Sequence, residues 1–161
     1  MTMAPSDMIC FALYSATHAM QQAYRPLLDA LGITYPQYLV LRVLWAEKAP
    51  MNVSGIGGML YLDSSTVTPL LKRLEAAGLV TRNRDPHDER KVHVTLTDAG
   101  GEMEGRAAHV SACIFERTGL DARALERLHA EVSDLGERLR ASSKPELRPD
   151  SREVSVQKAT T

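Results

Sequence analysis

The sequence predicts a mainly α-helical fold with one small β-hairpin, and three patterns carry that prediction. Leu125, Leu128, Val132, Leu135 and Leu139 recur at steps of 3, 4, 3 and 4, which gives a helix one apolar stripe. Asp63 precedes a helical stretch over 64–77 as its cap, and Gly78 follows it as a left-handed stop. Runs at 79–84 and 92–96 read as two strands joined by the polar turn Asp85-Pro86-His87-Asp88-Glu89-Arg90.

The 161 residues suit one domain with a single core, or one domain with an attached dimerisation element. With 44% hydrophobic and 24% charged residues, most of the chain should fold. The exception is 143–161, rich in Ser, Pro and charge, which is expected to be a disordered tail. The apolar run 8–14 is far shorter than the roughly 20 residues that span a bilayer. The opening MTMAPSD lacks a basic segment and a cleavage signal, so a cytoplasmic protein is expected. Two cysteines in that reducing compartment are either buried fillers or redox-active. His18, His87, His93, His109 and His129 show no ligand-like spacing, so neither metal nor cofactor is expected.

In chain order, Ser6 or Asp7 is the expected cap of a long helix to about Ala30, with Pro5 just outside it. Cys10, Leu13, Thr17, Met20 and Tyr24 fall on one face, and Pro26 should kink or divide the stretch. Thr34-Tyr35-Pro36-Gln37 reads as a capping box with Pro at the first helical position, opening a helix to about Trp45. A short helix follows over about 53–60, then the turn Tyr61-Leu62-Asp63. Beyond the hairpin, Thr97 or Asp98 caps a fifth helix to about Arg117, and Asp121 starts the last one, to about Ala141.

Short helix, tight turn, longer helix and hairpin, in that order, make a winged helix-turn-helix. A helix fits the major groove of DNA and its early residues reach base edges. Here these are Ser64, Ser65, Thr66 and Thr68, while Lys72 and Arg73 lie better for the phosphate backbone. The hairpin carries Arg84, Arg90 and Lys91, and an arginine there can enter a narrow minor groove. A net charge of −1 argues against nucleic-acid binding only as an average. From Lys72 to Lys91 six basic residues face four acids, and phosphate binding needs a local basic surface. The bland alternative is a capped helix and a solvated hairpin.

The string from Tyr61 to Glu75, followed by Gly78-Leu79-Val80, resembles the MarR family of regulators, as does the wing 85–90. The resemblance covers about residues 6–141. It implies a domain over 6–142, with a DNA-binding lobe at 36–97 and dimerisation helices at 6–34 and 98–142. It also implies a homodimer on a pseudo-palindromic operator, a wing Arg90 probing the minor groove, and Asp88 holding that arginine. Pro69 interrupts the helical donors mid-helix, so a local irregularity is expected there. The leucine stripe agrees with a dimer interface, although an intramolecular bundle face would show the same spacing.

Within the family, the strings 10–15 and 33–38 look like the organic-hydroperoxide-sensing branch. That resemblance implies that Cys10 is oxidised by peroxide, that Tyr24 and Tyr35 hydrogen-bond its sulfur, and that Cys113 resolves it as an intersubunit disulfide. Cys10 lies near a helix N-terminus, where the dipole favours a thiolate, and its neighbours Ile9, Phe11 and Leu13 suit a greasy peroxide. Cys10 and Tyr24 are 14 positions apart on one helix, or about 21 Å. If they meet, Tyr24 must come from the other subunit.

Two other classes compete. A regulator responding to a small phenolic ligand would keep both cysteines as structural residues. A thiol peroxidase would need groups for turnover, and the sequence offers no CxxC motif and no Arg or Glu obviously placed for it, so an enzyme is not expected.

Overall fold

The computed structural model describes residues 4–84 and 92–142. The expected wing tip, with Asp88, Arg90 and Lys91, and the expected tail at 143–161 lie outside the described residues.

Helix α1 spans Ile9–Asp29. Neither Ser6 nor Asp7 caps it, contrary to expectation: Pro5–Asp7 forms a separate 3-10 turn, and Met8 is the residue that precedes α1. Pro26 does not divide the helix either. A proline at 26 deprives the Gln22 carbonyl of its helical donor. One residue on, the Ala23 carbonyl accepts from Arg117 Nη1 at 2.8 Å, so a side chain supplies an extra donor where the ladder is weakened.

Helix α2 spans Tyr35–Glu47 and opens on the expected capping box. The Thr34 backbone N–H donates to Gln37 Oε1 at 2.8 Å. Pro36 is the second helical residue rather than the first, still within the turn where no N–H is needed. Strand β1, Met51–Asn52, was not expected; it leads straight into α3, Val53–Leu60. Asn52 serves both elements, since its side chain caps α3 by accepting from Gly55 N at 2.6 Å.

Helix α4 spans Ser64–Ala76 and runs unbroken through Pro69. Gly78 has φ +72°, the left-handed stop its position required. Strands β2 (Val80–Arg84) and β3 (Val92–Leu96) pair antiparallel from Val80 opposite Leu96 to Arg84 opposite Val92. β1 adds to the other edge of β3, giving the sheet order β1-β3-β2. Helix α5 spans Asp98–Thr118, capped by Thr97, whose Oγ1 accepts from Gly100 N at 3.0 Å.

One core joins α2, α3, α4, α5 and the sheet. Leu41, Leu44, Ile56, Val67, Leu71, Leu74, Val94 and Val110 are all fully buried there. α1 contributes little: among its 21 residues only Leu28 is buried. Its apolar residues Ile9 and Tyr14 remain 67% and 69% exposed.

The chain divides into two compact units between Thr118 and Gly119. In the second unit, α6 spans Ala122–Ser142, and the Asp121 carboxylate accepts from Ala124 N at 2.7 Å. No residue of α6 is buried, and Leu128, Val132 and Leu139 of its stripe are exposed.

Candidate nucleic-acid interface and cysteine site

The helix-turn-helix is α3, the turn at Tyr61–Asp63 and α4. Asp63 holds the entry to α4: its Oδ1 accepts from Thr66 N at 2.8 Å and from the Ser65 hydroxyl. The Ser65 and Thr66 bonds hold the Asp63 carboxyl below its usual value. The first turn therefore stays ordered, with Ser64, Ser65 and Thr66 all exposed.

The four expected base-facing hydroxyls are not equivalent. Thr68 Oγ1 donates back to the Ser64 carbonyl at 2.6 Å and is half-buried, so its hydrogen is committed within the helix. Ser65 is committed to Asp63. Lys72 and Arg73 are exposed one to two turns further along. Arg84 is exposed at the end of β2.

Arg82, by contrast, is turned to structural work. Its Nη2 lies 2.7 Å from Glu75 Oε2 and its Nε donates to the same oxygen at 2.8 Å. That pair ties β2 to α4, so wing and helix present one surface. It also removes one cation from the basic count of the stretch. The sequence signal was an acid on the last turn of a helix and a base two residues into the next strand.

The cysteine site has two parts. Cys10 is exposed near the start of α1, and Cys113 is half-buried in α5; both are free thiols. Tyr24 and Tyr35 do meet, with ring centroids 4.8 Å apart, and Tyr38 joins them at 5.9 Å from Tyr24. Tyr38 was missed, although it stands one turn after Tyr35 and so on the same face of α2.

Burial first, then the neighbouring Tyr35 and Tyr38, pushes the Tyr24 hydroxyl above the ordinary phenol value; Arg42 works against that shift. Burial, then Tyr38, does the same at Tyr35. Both hydroxyls therefore stay protonated, as hydrogen-bond donors, through neutral and mildly alkaline pH. A raised folded-state value means that their contribution to stability is complete below the unfolded phenol range and is lost as pH rises through the folded value. In an absorbance titration at alkaline pH, Tyr24 and Tyr35 should ionise above the ordinary phenol value. Tyr24→Phe and Tyr35→Phe should each remove one late component; late absorbance unchanged in both variants would contradict this.

No described helix is long and apolar enough to cross a membrane. Among the described residues, no group of three or more His, Cys, Asp or Glu is placed to hold a metal ion.

Helix, turn, capped helix and antiparallel wing strands define a winged helix-turn-helix protein, the architecture of a DNA-binding transcriptional regulator. The chain belongs to the MarR family, whose profile matches residues 33–92. It is 41% identical over 133 residues to the organic hydroperoxide resistance transcriptional regulator of Bacillus subtilis, covering 83% of this chain and 90% of that protein. It is 51% identical over 112 residues to the HTH-type regulator TtmR of Methylorubrum extorquens; the match spans 70% of this chain but only 57% of TtmR's length. Among solved structures, reduced AbfR bound to DNA superposes with a TM-score of 0.64 at 38% identity, covering 79% of this chain and 90% of AbfR. AbfR has also been solved overoxidised on DNA and in a disulfide-formed state.

Proposed function

We propose that this protein is a homodimeric, peroxide-sensing transcriptional repressor. It binds a pseudo-palindromic operator through α4 and the wing and leaves it when organic hydroperoxide oxidises Cys10. The observation that carries the reading is the exposed, sparsely buried face of α1 that presents Cys10. α1 runs unbroken from Cys10 to Tyr24, so the two cannot meet within a chain. The Tyr24–Tyr35 pair is thus available to the Cys10 of a second copy. That copy would also cover Ile9, Phe11 and Tyr14, which one chain leaves in water. The likeness to the Bacillus regulator, and the reduced and disulfide-formed states of AbfR, support the same assignment.

The chemistry balances with the peroxide as sole oxidant. The Cys10 thiolate attacks the outer peroxide oxygen, an S–O bond forms, the O–O bond breaks, and the alcohol leaves with a proton. The tyrosine hydroxyls donate to sulfur. The Cys113 thiol of the other subunit then attacks the sulfenic sulfur, forming the disulfide and releasing water. One peroxide is consumed per disulfide. The protein acts as a stoichiometric sensor rather than an enzyme, and needs no metal or cofactor.

At the DNA face, Ser64 and Thr66 approach bases, Ser65 does so only as an acceptor because its hydrogen is held by Asp63, and Lys72, Arg73 and Arg84 meet phosphates. The family resemblance assigns Asp88, Arg90 and Lys91 to DNA contact as well. Each phosphate cation lost should lower the slope of log affinity against log salt by about 0.9. Lys72→Ala should therefore flatten that slope by about 0.9 per subunit contact while weakening all sequences alike; an unchanged slope would remove Lys72 from the interface.

The reading is tested by measuring operator binding of the native protein before and after one equivalent of cumene hydroperoxide, then after dithiothreitol. Tight binding, release and recovery are expected. Binding indifferent to peroxide would overturn the redox assignment and leave a regulator of another signal.

A further inference from the structure

Trp45 stands at the opposite end of α2 from the tyrosine pair and is 3% exposed. Its ring centroid lies 6.1 Å from that of Tyr38, which lies 5.9 Å from that of Tyr24. Tyr35 and Trp45 are ten residues apart on this helix, so it acts as a rod about 15 Å long between the pocket and the indole.

The indole Nε1–H donates to the Gly100 carbonyl at 2.9 Å, across 55 positions of sequence. Gly100 belongs to a compact joint. Its N–H donates to Thr97 Oγ1, Thr97 Oγ1 donates to the Gly78 carbonyl at 2.6 Å, and Thr97 N donates to the Leu79 carbonyl at 3.1 Å. Gly78 ends α4 and Leu79 precedes β2, so the same joint fixes the recognition helix, the wing strand and the start of α5.

A helical carbonyl such as that of Gly100 already has an intrahelical donor, so the indole is not there to satisfy it. A phenylalanine would fill the space without bringing a donor that must be matched. The bond therefore sets position more than it fills volume.

We infer that Trp45 is a positioning residue that transmits the state of the tyrosine pocket to the wing joint through its hydrogen bond to Gly100. The inference rests on the redox reading above and deepens it. Oxidation at Cys10 changes what the Tyr24–Tyr35 pair bonds to. α2 moves as a unit against the joint, and α4 and β2 follow because Gly78 and Leu79 are fastened to Thr97.

Trp45 is the one tryptophan in the chain, so global incorporation of 3-benzothienylalanine replaces it alone, keeping the bicyclic shape and removing the N–H. Operator affinity is then measured for reduced and peroxide-treated full-length protein. The reduced affinity should stay within about twofold of native, while the ratio of oxidised to reduced dissociation constants falls by about fivefold or more, the scale of one lost hydrogen bond. Trp45→Phe should behave alike. In the native protein, Trp45 emission should shift with the same time course as release, and Cys10→Ser should abolish the shift. A native-like ratio without the N–H, or equal weakening of both states, would overturn the inference while leaving the redox reading standing. A native protein that ignores peroxide would instead remove the reading beneath it.

Discussion

Cys10→Ser protein is expected to stay on its operator after organic hydroperoxide that releases the native protein. Release in the native protein should weaken binding by about 5- to 150-fold, the usual range of coupling between two sites. The serine variant should change by less than about twofold on that scale. The reasoning is chemical and then geometric. Serine keeps the size of the side chain but offers no nucleophile that peroxide can oxidise at neutral pH. Position 10 is exposed and belongs to α1, outside the helix-turn-helix of α3 and α4, so reduced binding should be untouched. A serine variant that is released by peroxide as readily as native protein would move the sensor elsewhere. A variant that is still released by a small phenolic acid, with native protein blind to peroxide, would mark a ligand-responsive regulator.

Gly100→Ala and Gly101→Ala should change stability in opposite directions, although the residues are neighbours in the first turn of α5. A Cβ on Gly100 would lie 2.0 Å from the Leu79 carbonyl oxygen and 3.0 Å from its carbon, with Leu96 Cδ2 at 3.2 Å. The first two are backbone atoms, and the oxygen also holds the Thr97 N–H. Nothing there can rotate away, so α5 must lift off the β2 junction. The expected cost is about 3 kcal/mol, at the upper end of overpacking, because the clash is with backbone. A Cβ on Gly101 meets nothing within 4 Å. There alanine simply restricts the unfolded chain and should stabilise by up to about 1 kcal/mol. Urea unfolding of both variants gives the comparison. Equal and small effects would show that α5 and Leu79 are not in contact as described.

What the sequence revealed well was local chemistry. The Thr34–Gln37 box, the Asp63 cap and the Gly78 stop each depend on residues within a turn of one another, and all three formed. The prolines show the converse: the division expected at Pro26 does not occur, and the helix expected to continue through Pro69 does so. Both prolines disfavour a helix locally, yet burial of Leu28 beside one and of Leu70 and Leu71 beside the other keeps both helices whole. Tertiary packing outweighed a local penalty of about 3 kcal/mol.

The start of α1 failed for a related reason. Two good caps were available, but Pro5 at the head of a 3-10 turn used those residues first. β1 was invisible because two residues carry no alternation, and its pairing partner Val94 lies more than forty positions away. The same distance problem hid the Trp45–Gly100 bond, which spans 55 positions and which neither residue type nor spacing announces. At the site, the tyrosine pair was legible through resemblance, while Tyr38 and the committed hydroxyl of Thr68 needed coordinates.

Non-reducing electrophoresis, run on samples taken during peroxide titration with operator binding read from the same samples, is the most direct test of the switch. A covalent dimer should accumulate in proportion to released DNA, vanish with dithiothreitol, and fail to form in either Cys10→Ser or Cys113→Ser. Full release while the chains still migrate singly would contradict a disulfide that spans two subunits.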